Sequence, residues 1–303
     1  MKTLPDVSQR ENSYVIDIES GAETARLMHQ HRLVTAGMGG VFPELLDISQ
    51  VQHILDIACG PGDWALDVAF AYPQTEVIGI DLSRTMVEYA RARAGVQGLD
   101  NARFCVMDAL QPLAFSDDAF DLVNARFLCS FMPTTAWLAL LKECIRVIRP
   151  GGIICLTEAE NGISTGSACE QISALCARAM QGAGHSFSPD GRHLGVTALL
   201  GHFLRQAGCQ HIQQQAHVID YSVGTDVHRS MFTNCNILVE VLKPFLMRMG
   251  VITEDELECL HREATIEMLS DEFCGVWFLL SAWGTKHHQF HPPVRCSLTS
   301  PRR

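Results

Sequence analysis

Three carboxylates stand at matching places in successive segments of this 303-residue chain. Asp56 lies in "HILDIA", Asp81 ends "EVIGID" and Asp108 ends "ARFCVMD". After the first comes Gly60-Pro61-Gly62, where the lack of a Cβ lets backbone approach a ligand closely. Asp81 follows about 20 residues on, the place from which an acidic side chain accepts hydrogen bonds from ribose hydroxyls. Asp108 and Ala109 sit beside apolar Met107, so a carboxylate can meet an adenine amino group while the thioether packs on its ring. A fourth segment ends in Asn124-Ala125-Arg126. The chemistry these residues point to is capture of an adenosine-containing cofactor. Gly60 to Ala65 also fits the loose dinucleotide pattern G-x-G-x-x-A, which leaves a nicotinamide cofactor open. Taken singly, each Asp could be a turn or cap residue, and Arg126 could anchor a helix end or pair with an acidic neighbour.

The elements that must position these residues alternate. "HILDIA", "EVIGID", "ARFCVMD", "FDLVNA" and "GIICLTEAE" read as strands. "DWALDVAFAY", with Trp64, Leu66, Val68 and Phe70 as its apolar contacts, "SRTMVEYARARA", with Ser83 as N-cap, and "TTAWLALLKECIRVI", stopped by Pro150-Gly151-Gly152, read as helices. Short apolar strands separated by helices predict a parallel sheet covered on both faces, with ligands at the carboxyl ends of its strands. Beyond this core, 162–184 reads as helical and "SFSPDGRHLG" as a turn-rich loop. "VTALLGHFLRQAG" reads as a helix, "HIQQQAHVIDYS" as a strand and "CGVWFLLSAWG" as a last strand. A helical block spans 226–269, where Pro244 is expected to kink or break the first helix and Thr253 with Glu256 to box the start of the second.

Composition narrows the function classes. Formal net charge is −11, a poor balance for binding nucleic acid, which needs clustered Lys and Arg. Twelve cysteines occur without any C-x-x-C pair and read as small core residues in a reducing compartment, with neither a disulfide framework nor a metal site expected. The N-terminal stretch lacks the apolar segment of a signal peptide, and no apolar run approaches the roughly 20 residues of a membrane helix. A soluble, cytoplasmic protein is therefore the expectation. The tail "KHHQFHPPVRCSLTSPRR" is expected to be disordered, its histidines solvated.

The order of features closely resembles the class I S-adenosylmethionine-dependent methyltransferases. "LDIACGPGDW" looks like their first motif, D/E-x-G-x-G-x-G. Asp81 matches the acidic residue after the second strand, and "VMDA" the acidic motif after the third. "DAFDLVNARFLCSFMP" and "LLKECIRVIRPGG" resemble the fourth-strand segment and the helix with glycine turn before the fifth strand. The last strand fits an antiparallel seventh strand between the fifth and sixth. Two departures stand out. Ala58 replaces the first glycine, a small loss of room. Asp63 follows the last glycine, where an acid suits a helix N-terminus but not a pyrophosphate, and Pro61 donates no amide. Both residues favour a phosphate-free cofactor over a dinucleotide.

The resemblance implies an α/β, Rossmann-like, doubly wound sheet of seven strands, mostly parallel with an antiparallel last strand, plus helical additions. The expected divisions are a lid (1–48), the cofactor-binding core (49–160), a helix, substrate loop and sixth strand (161–222), a helical cap (223–271), the last core strand (272–286) and the tail (287–303). Asp81 would hold the ribose and Asp108 with Ala109 the adenine, flanked by Leu82 and Met107. Ala58, Gly60 and Asn124 would face the methionine part, reached from the lid by Tyr14, Arg26 and Gln30. The implied reaction is methyl transfer from S-adenosyl-L-methionine to a small, partly apolar O-, C- or N-acceptor. The alternatives are an NAD(P)-dependent oxidoreductase or a member that binds the cofactor without methylating. Candidate bases or orienters are His185, His193, Asp190, Tyr14 and Glu158. The helical cap is read as a roof over substrate, a homodimer surface or ordinary core.

Overall fold

The computed structural model describes residues 15–17 and 19–287. Tyr14 and nearly all of the tail lie outside them. Its sheet runs in the order β3-β2-β1-β4-β5-β8-β6, with β7 also paired to β8. The strands are β1 His53–Ile57, β2 Glu76–Asp81, β3 Ala102–Val106, β4 Phe120–Arg126, β5 Ile148–Ala159, β6 Ile163–Ser164, β7 Cys209–Asp220 and β8 Gly275–Lys286. β1 to β5 pair in parallel, whereas β8 is antiparallel to both β5 and β7. The expected antiparallel last strand therefore sits between the fifth and the following long strand. Among the described residues the sheet has eight strands where seven were expected. β8 reaches past the end of β5, and Val276 and Gly275 pair with the two-residue β6.

Successive residues of the central strands serve opposite faces, as the two-residue period of a strand requires. Leu55, Ile57, Val123, Ala125, Ile154 and Leu156 enter one core with α4 (Trp137–Val147) and α6 (Leu200–Gln206). Ile54, Leu122 and Cys155 enter the other with α2 (Asp63–Ala71) and α3 (Arg84–Gln97). Both faces are apolar, so the strands carry little polar alternation. Phe70 departs from expectation: it is 74% exposed, on the outer side of α2. α4 ends at Val147, ahead of Pro150, because Ile148 already pairs with Phe120.

A second layer consists of α1 (Gly21–Met38), α5 (Ser167–Gly182), α7 (His228–Arg248) and α8 (Glu254–Met268). Val15, Ile16, Met180, Val239, Leu242, Phe245, Leu246 and Leu257 form its own apolar cluster. α7 continues through Pro244 to Arg248, so the expected break does not occur. The Glu256 side chain accepts from Thr253 N at 3.0 Å, which starts α8 as expected.

Candidate active site

The turn after β1 is shaped by its neighbours. Ala58 and Gly60 both have φ of 54°, and Gly62 has φ of 82°. A Cβ on Gly62 would lie 2.7 Å from Ala90 Cβ and 2.8 Å from Phe104 Cε1, so glycine is required there by space as well as by backbone. The turn leads directly into α2, whose first residue is Asp63. Asp81 ties the turn to the next strand end: its Oδ2 accepts from Gly60 N at 2.8 Å and its Oδ1 from Ser83 N at 2.9 Å.

A cleft of about 150 Å³ opens at these strand ends. Among the expected cofactor residues it is lined by Ala58, Gly60, Asp81, Leu82, Met107, Asp108, Ala109 and Gln30. Two expected residues lie elsewhere. Asn124 is buried behind the lining and donates from Nδ2 to Asp56 Oδ1 at 2.8 Å, so it orients the carboxylate that does face the cleft. Arg26 faces a second cavity and is held by Glu23, at 2.6 Å from both carboxylate oxygens, and by Gln30.

The cleft also takes in residues outside the expected cofactor set: Asp56, Asp63 and Arg126 at its floor, and Leu27, His31, Phe127 and Ser130 at its side. Arg126 Nη2 donates to His31 Nδ1 at 2.9 Å. That leaves the proton of a neutral His31 on Nε2, which faces Asp67 Oδ2 at 2.7 Å. Asp63 pairs with Arg93 at 2.7 Å. Asp63 Oδ2 and Arg126 Nη1 are buried without a hydrogen-bond partner. Asp63 and Arg126 had a sequence signal, an acid and a cation at strand-end loops. His31 had none, because its contact spans 95 positions of chain.

Among the described residues four carboxylates and one guanidinium line the cleft, an excess of acidic groups. Burial pushes the Asp56 carboxyl up to about 7, against the opposing effects of the Asn124 hydrogen bond and the Arg126 charge. Burial also raises Asp81, offset in part by the Ser83 and Gly60 amides, and lowers Arg126.

A second, larger cavity of about 300 Å³ adjoins the first, and Leu27, Gln30, Phe127 and Ser130 line both. Its walls come from α1, α5, α7, α8 and the start of β8, and are largely apolar, with Val239, Leu242, Phe245, Met268 and Trp277 among them. Glu160 lines it too, but its carboxylate accepts from Leu194 N at 2.8 Å, Gly195 N at 3.1 Å and Thr197 Oγ1 at 2.9 Å.

The candidate bases among the described residues, Glu158, His185, Asp190 and His193, are not among the lining residues of either cavity. Glu158 is buried and accepts from Leu128 N at 2.6 Å, holding the turn that follows β4, and burial pushes it up to about 8. His185 is buried with Nδ1 3.4 Å from the Cys129 carbonyl, and burial lowers its pKa. Asp190 and His193 are exposed on a loop braced by its own bonds, such as Ser188 Oγ to Asp190 Oδ1 at 2.9 Å. Among the described residues no group of three His, Cys, Asp or Glu side chains is placed to hold a metal, and no helix is long and apolar enough to cross a membrane.

Comparison with known proteins adds an independent line. Residues 54–152 match a family model described as a methyltransferase domain. The demethylmenaquinone methyltransferase of Geobacillus kaustophilus is 34% identical over 113 residues, 37% of this chain and 47% of that protein. Its counterpart in Lactococcus lactis is 36% identical over 105 residues, 34% of this chain and 40% of that one. The chain thus spans less than half the length of these curated relatives. Among solved structures, a phosphoethanolamine N-methyltransferase of Haemonchus contortus, crystallised with phosphomonomethylethanolamine and S-adenosylhomocysteine, superposes with a TM-score of 0.51. It is 16% identical, covering 88% of this chain and 58% of that one, which is a likeness of fold. The matched segment runs from the start of β1 to the glycine turn within β5, and so contains the acidic strand ends that line the cleft. The segment that carries the strand-end carboxylates is thus similar to a methyltransferase domain, and the sheet around it has the fold of a solved methyltransferase.

Proposed function

We propose that the protein transfers the methyl group of S-adenosyl-L-methionine to a small, partly apolar molecule. The observation that carries this reading is the meeting of two unlike cavities at Leu27, Gln30, Phe127 and Ser130: an acidic cleft at the strand ends and an apolar chamber under the helices. The residues present fit this cofactor. It bears a net positive charge, which a cleft with four carboxylates and one guanidinium favours. Its methionine end carries both an ammonium and a carboxylate, and the cleft holds one unpartnered anionic atom, Asp63 Oδ2, and one unpartnered cationic group, Arg126 Nη1. A dinucleotide pyrophosphate would meet those carboxylates unfavourably, and the matched relatives are methyltransferases.

When bound, the cofactor supplies an electrophilic methyl group on a sulfonium, open to in-line displacement. In this reading Asp81 holds the ribose hydroxyls, with its two backbone bonds setting its orientation. Asp108, steadied by Leu110 N at 2.9 Å, takes the adenine edge, and Leu82 and Met107 cover the ring. Ala58 and Gly60 present backbone to the methionine part. Gln30 and Phe127 align the acceptor at the junction, and the apolar walls exclude water, so the protein's contribution is alignment and desolvation. The demethylmenaquinone methyltransferases, by their name, act on a quinone-type molecule, which is compatible with an apolar chamber.

Calorimetric titration of the purified chain with S-adenosylmethionine, S-adenosylhomocysteine and NADH tests this. The two sulfur compounds are expected to bind and NADH is not; the reverse pattern would overturn the proposal. A screen of aromatic and aliphatic acceptors with radiolabelled cofactor then separates a methylating enzyme, which labels a product, from a member that only binds.

A further inference from the structure

The chamber's inner wall contains one residue that breaks its own pattern. Along α7, Met231, Leu238, Leu242 and Phe245 recur at helical spacing and line the chamber, and Asn234 stands in the same stripe where an apolar side chain belongs. Asn234 is 4% exposed, and its Oδ1 is buried without a hydrogen-bond partner.

The neighbouring asparagine shows what a structural amide looks like in this helix. Asn236 also lines the chamber, but its Nδ2 donates to Phe232 O at 2.8 Å, and its Oδ1 faces His261 Nε2 at 2.8 Å and accepts from Thr265 Oγ1 at 3.0 Å. Every bond that Asn236 has, Asn234 lacks. Leaving a buried amide unsatisfied is destabilising, a penalty that a leucine at this position would avoid.

The charged side chains of the chamber set a second limit. Among the described residues Arg26 and Glu160 are the two that line it, and both are already answered by the protein, Arg26 by Glu23 and Glu160 by the amides of Leu194 and Gly195. A ligand bearing net charge would find no counter-charge left to it, and burying such a charge is costly.

We infer that the chamber takes an uncharged, largely apolar molecule carrying a hydroxyl or carbonyl group, and that Asn234 is the residue that recognises this group. The oxygen function completes the amide's hydrogen bonding while the apolar remainder fills the space between α5, α7 and α8. This makes Asn234 a specificity-determining residue for the acceptor, and it rests on the methyltransferase reading only for the statement that the bound molecule is the acceptor.

Matched probes test it: 2-naphthol, naphthalene and 2-naphthoate, titrated calorimetrically into the 303-residue chain with and without saturating S-adenosylhomocysteine. In the wild type, 2-naphthol is expected to bind about three- to tenfold tighter than naphthalene, the scale of one hydrogen bond, and 2-naphthoate more weakly than either. Asn234→Leu should erase the preference for 2-naphthol while leaving the affinity for naphthalene and S-adenosylhomocysteine in place. Its thermal midpoint should hold or rise, whereas a merely structural amide would lower it. A preference that survives in Asn234→Leu, tightest binding of 2-naphthoate, or no binding of any probe would overturn the inference. Failure of the wild type to bind S-adenosylhomocysteine would instead count against the methyltransferase reading, because the probe comparison stands without it.

Discussion

The cleft at the strand ends and the chamber under the helices are neighbours made in opposite ways. Most of the cleft's wall comes from loops that directly follow β1 to β4, so a polar side chain and the strand that aims it lie within a few residues of each other. The chamber is assembled from residues as distant as Arg26 and Trp277, each delivered by the packing of a separate element. The cleft is acidic; the chamber is apolar, and its Arg26 and Glu160 are answered by protein groups, one by a carboxylate and the other by backbone amides. A cofactor shared across many reactions can be held by a local, repeated device, whereas an acceptor particular to one protein is met by a surface built from long-range packing.

The largest effect that would sharpen this contrast is expected from the helical layer. Phe245 is 2% exposed, in the cluster with Val239 and Leu242. Phe245→Ala should lower unfolding free energy by about 3–5 kcal/mol, read by denaturant titration, while S-adenosylhomocysteine affinity of the folded protein stays within about twofold. A parallel loss of cofactor affinity would show that the two regions are one energetic unit. On the other side, Asp81→Ala should weaken cofactor binding by about 1.5–3 kcal/mol, the scale of hydrogen bonds to a charged group. Unchanged affinity in a folded variant would remove Asp81 from the site.

Asp56 gives a pH signature that belongs to the cleft alone. Its carboxyl stands at about 7 in the folded protein against an ordinary 3.8, so the ligand-free form holds that proton below neutrality. A cationic ligand favours the carboxylate, so binding releases the proton and affinity rises as pH climbs through about 7, by at most about tenfold per pH unit. Without ligand the sign is reversed for stability: the folded state binds the extra proton between 3.8 and about 7 and loses that advantage as pH rises across the interval. Asp56→Asn, which keeps an acceptor for Asn124, should flatten the affinity profile measured between pH 6 and 8. An equally steep profile in the variant would assign the proton to another group.

The smallest effect is expected at the outer rim of the helical layer. Thr253→Ala removes the hydroxyl at the N-cap of α8 and should cost about 0.5–2 kcal/mol of stability, visible in thermal unfolding, with no change in the affinity for S-adenosylhomocysteine. A shift in that affinity would mean that α8 is coupled to the cleft.

Legibility followed the same division. The alternation of apolar strands and amphipathic helices announced the doubly wound core, and Ser83 and Thr253 marked the starts of α3 and α8. Phe70 was misleading because a nine-residue helix has apolar residues in excess of its buried face. Asn124 and Arg126 were visible as a strand-end pair, but not that the first lies opposite Asp56 and bonds to it while the second, two residues nearer the strand end on the same face, lines the cleft, since that depends on how β4 is registered against β1. Asn234 carried a signal that is easily passed over, one polar residue in an apolar helical stripe.

From sequence alone, the chain determined the carboxylates at the strand ends, the turn that brings backbone to a ligand, and thus the kind of cofactor those residues suit. These are short-range facts, set by side-chain type and by the two- and three-to-four-residue periods of strands and helices. Tertiary structure alone decided that His31 reaches Arg126, that Arg26 faces the chamber rather than the cleft, and that a single asparagine is left unanswered among apolar walls. Those outcomes depend on how separate elements pack against each other, and that packing is fixed by the summed burial of the whole core rather than by any local pattern.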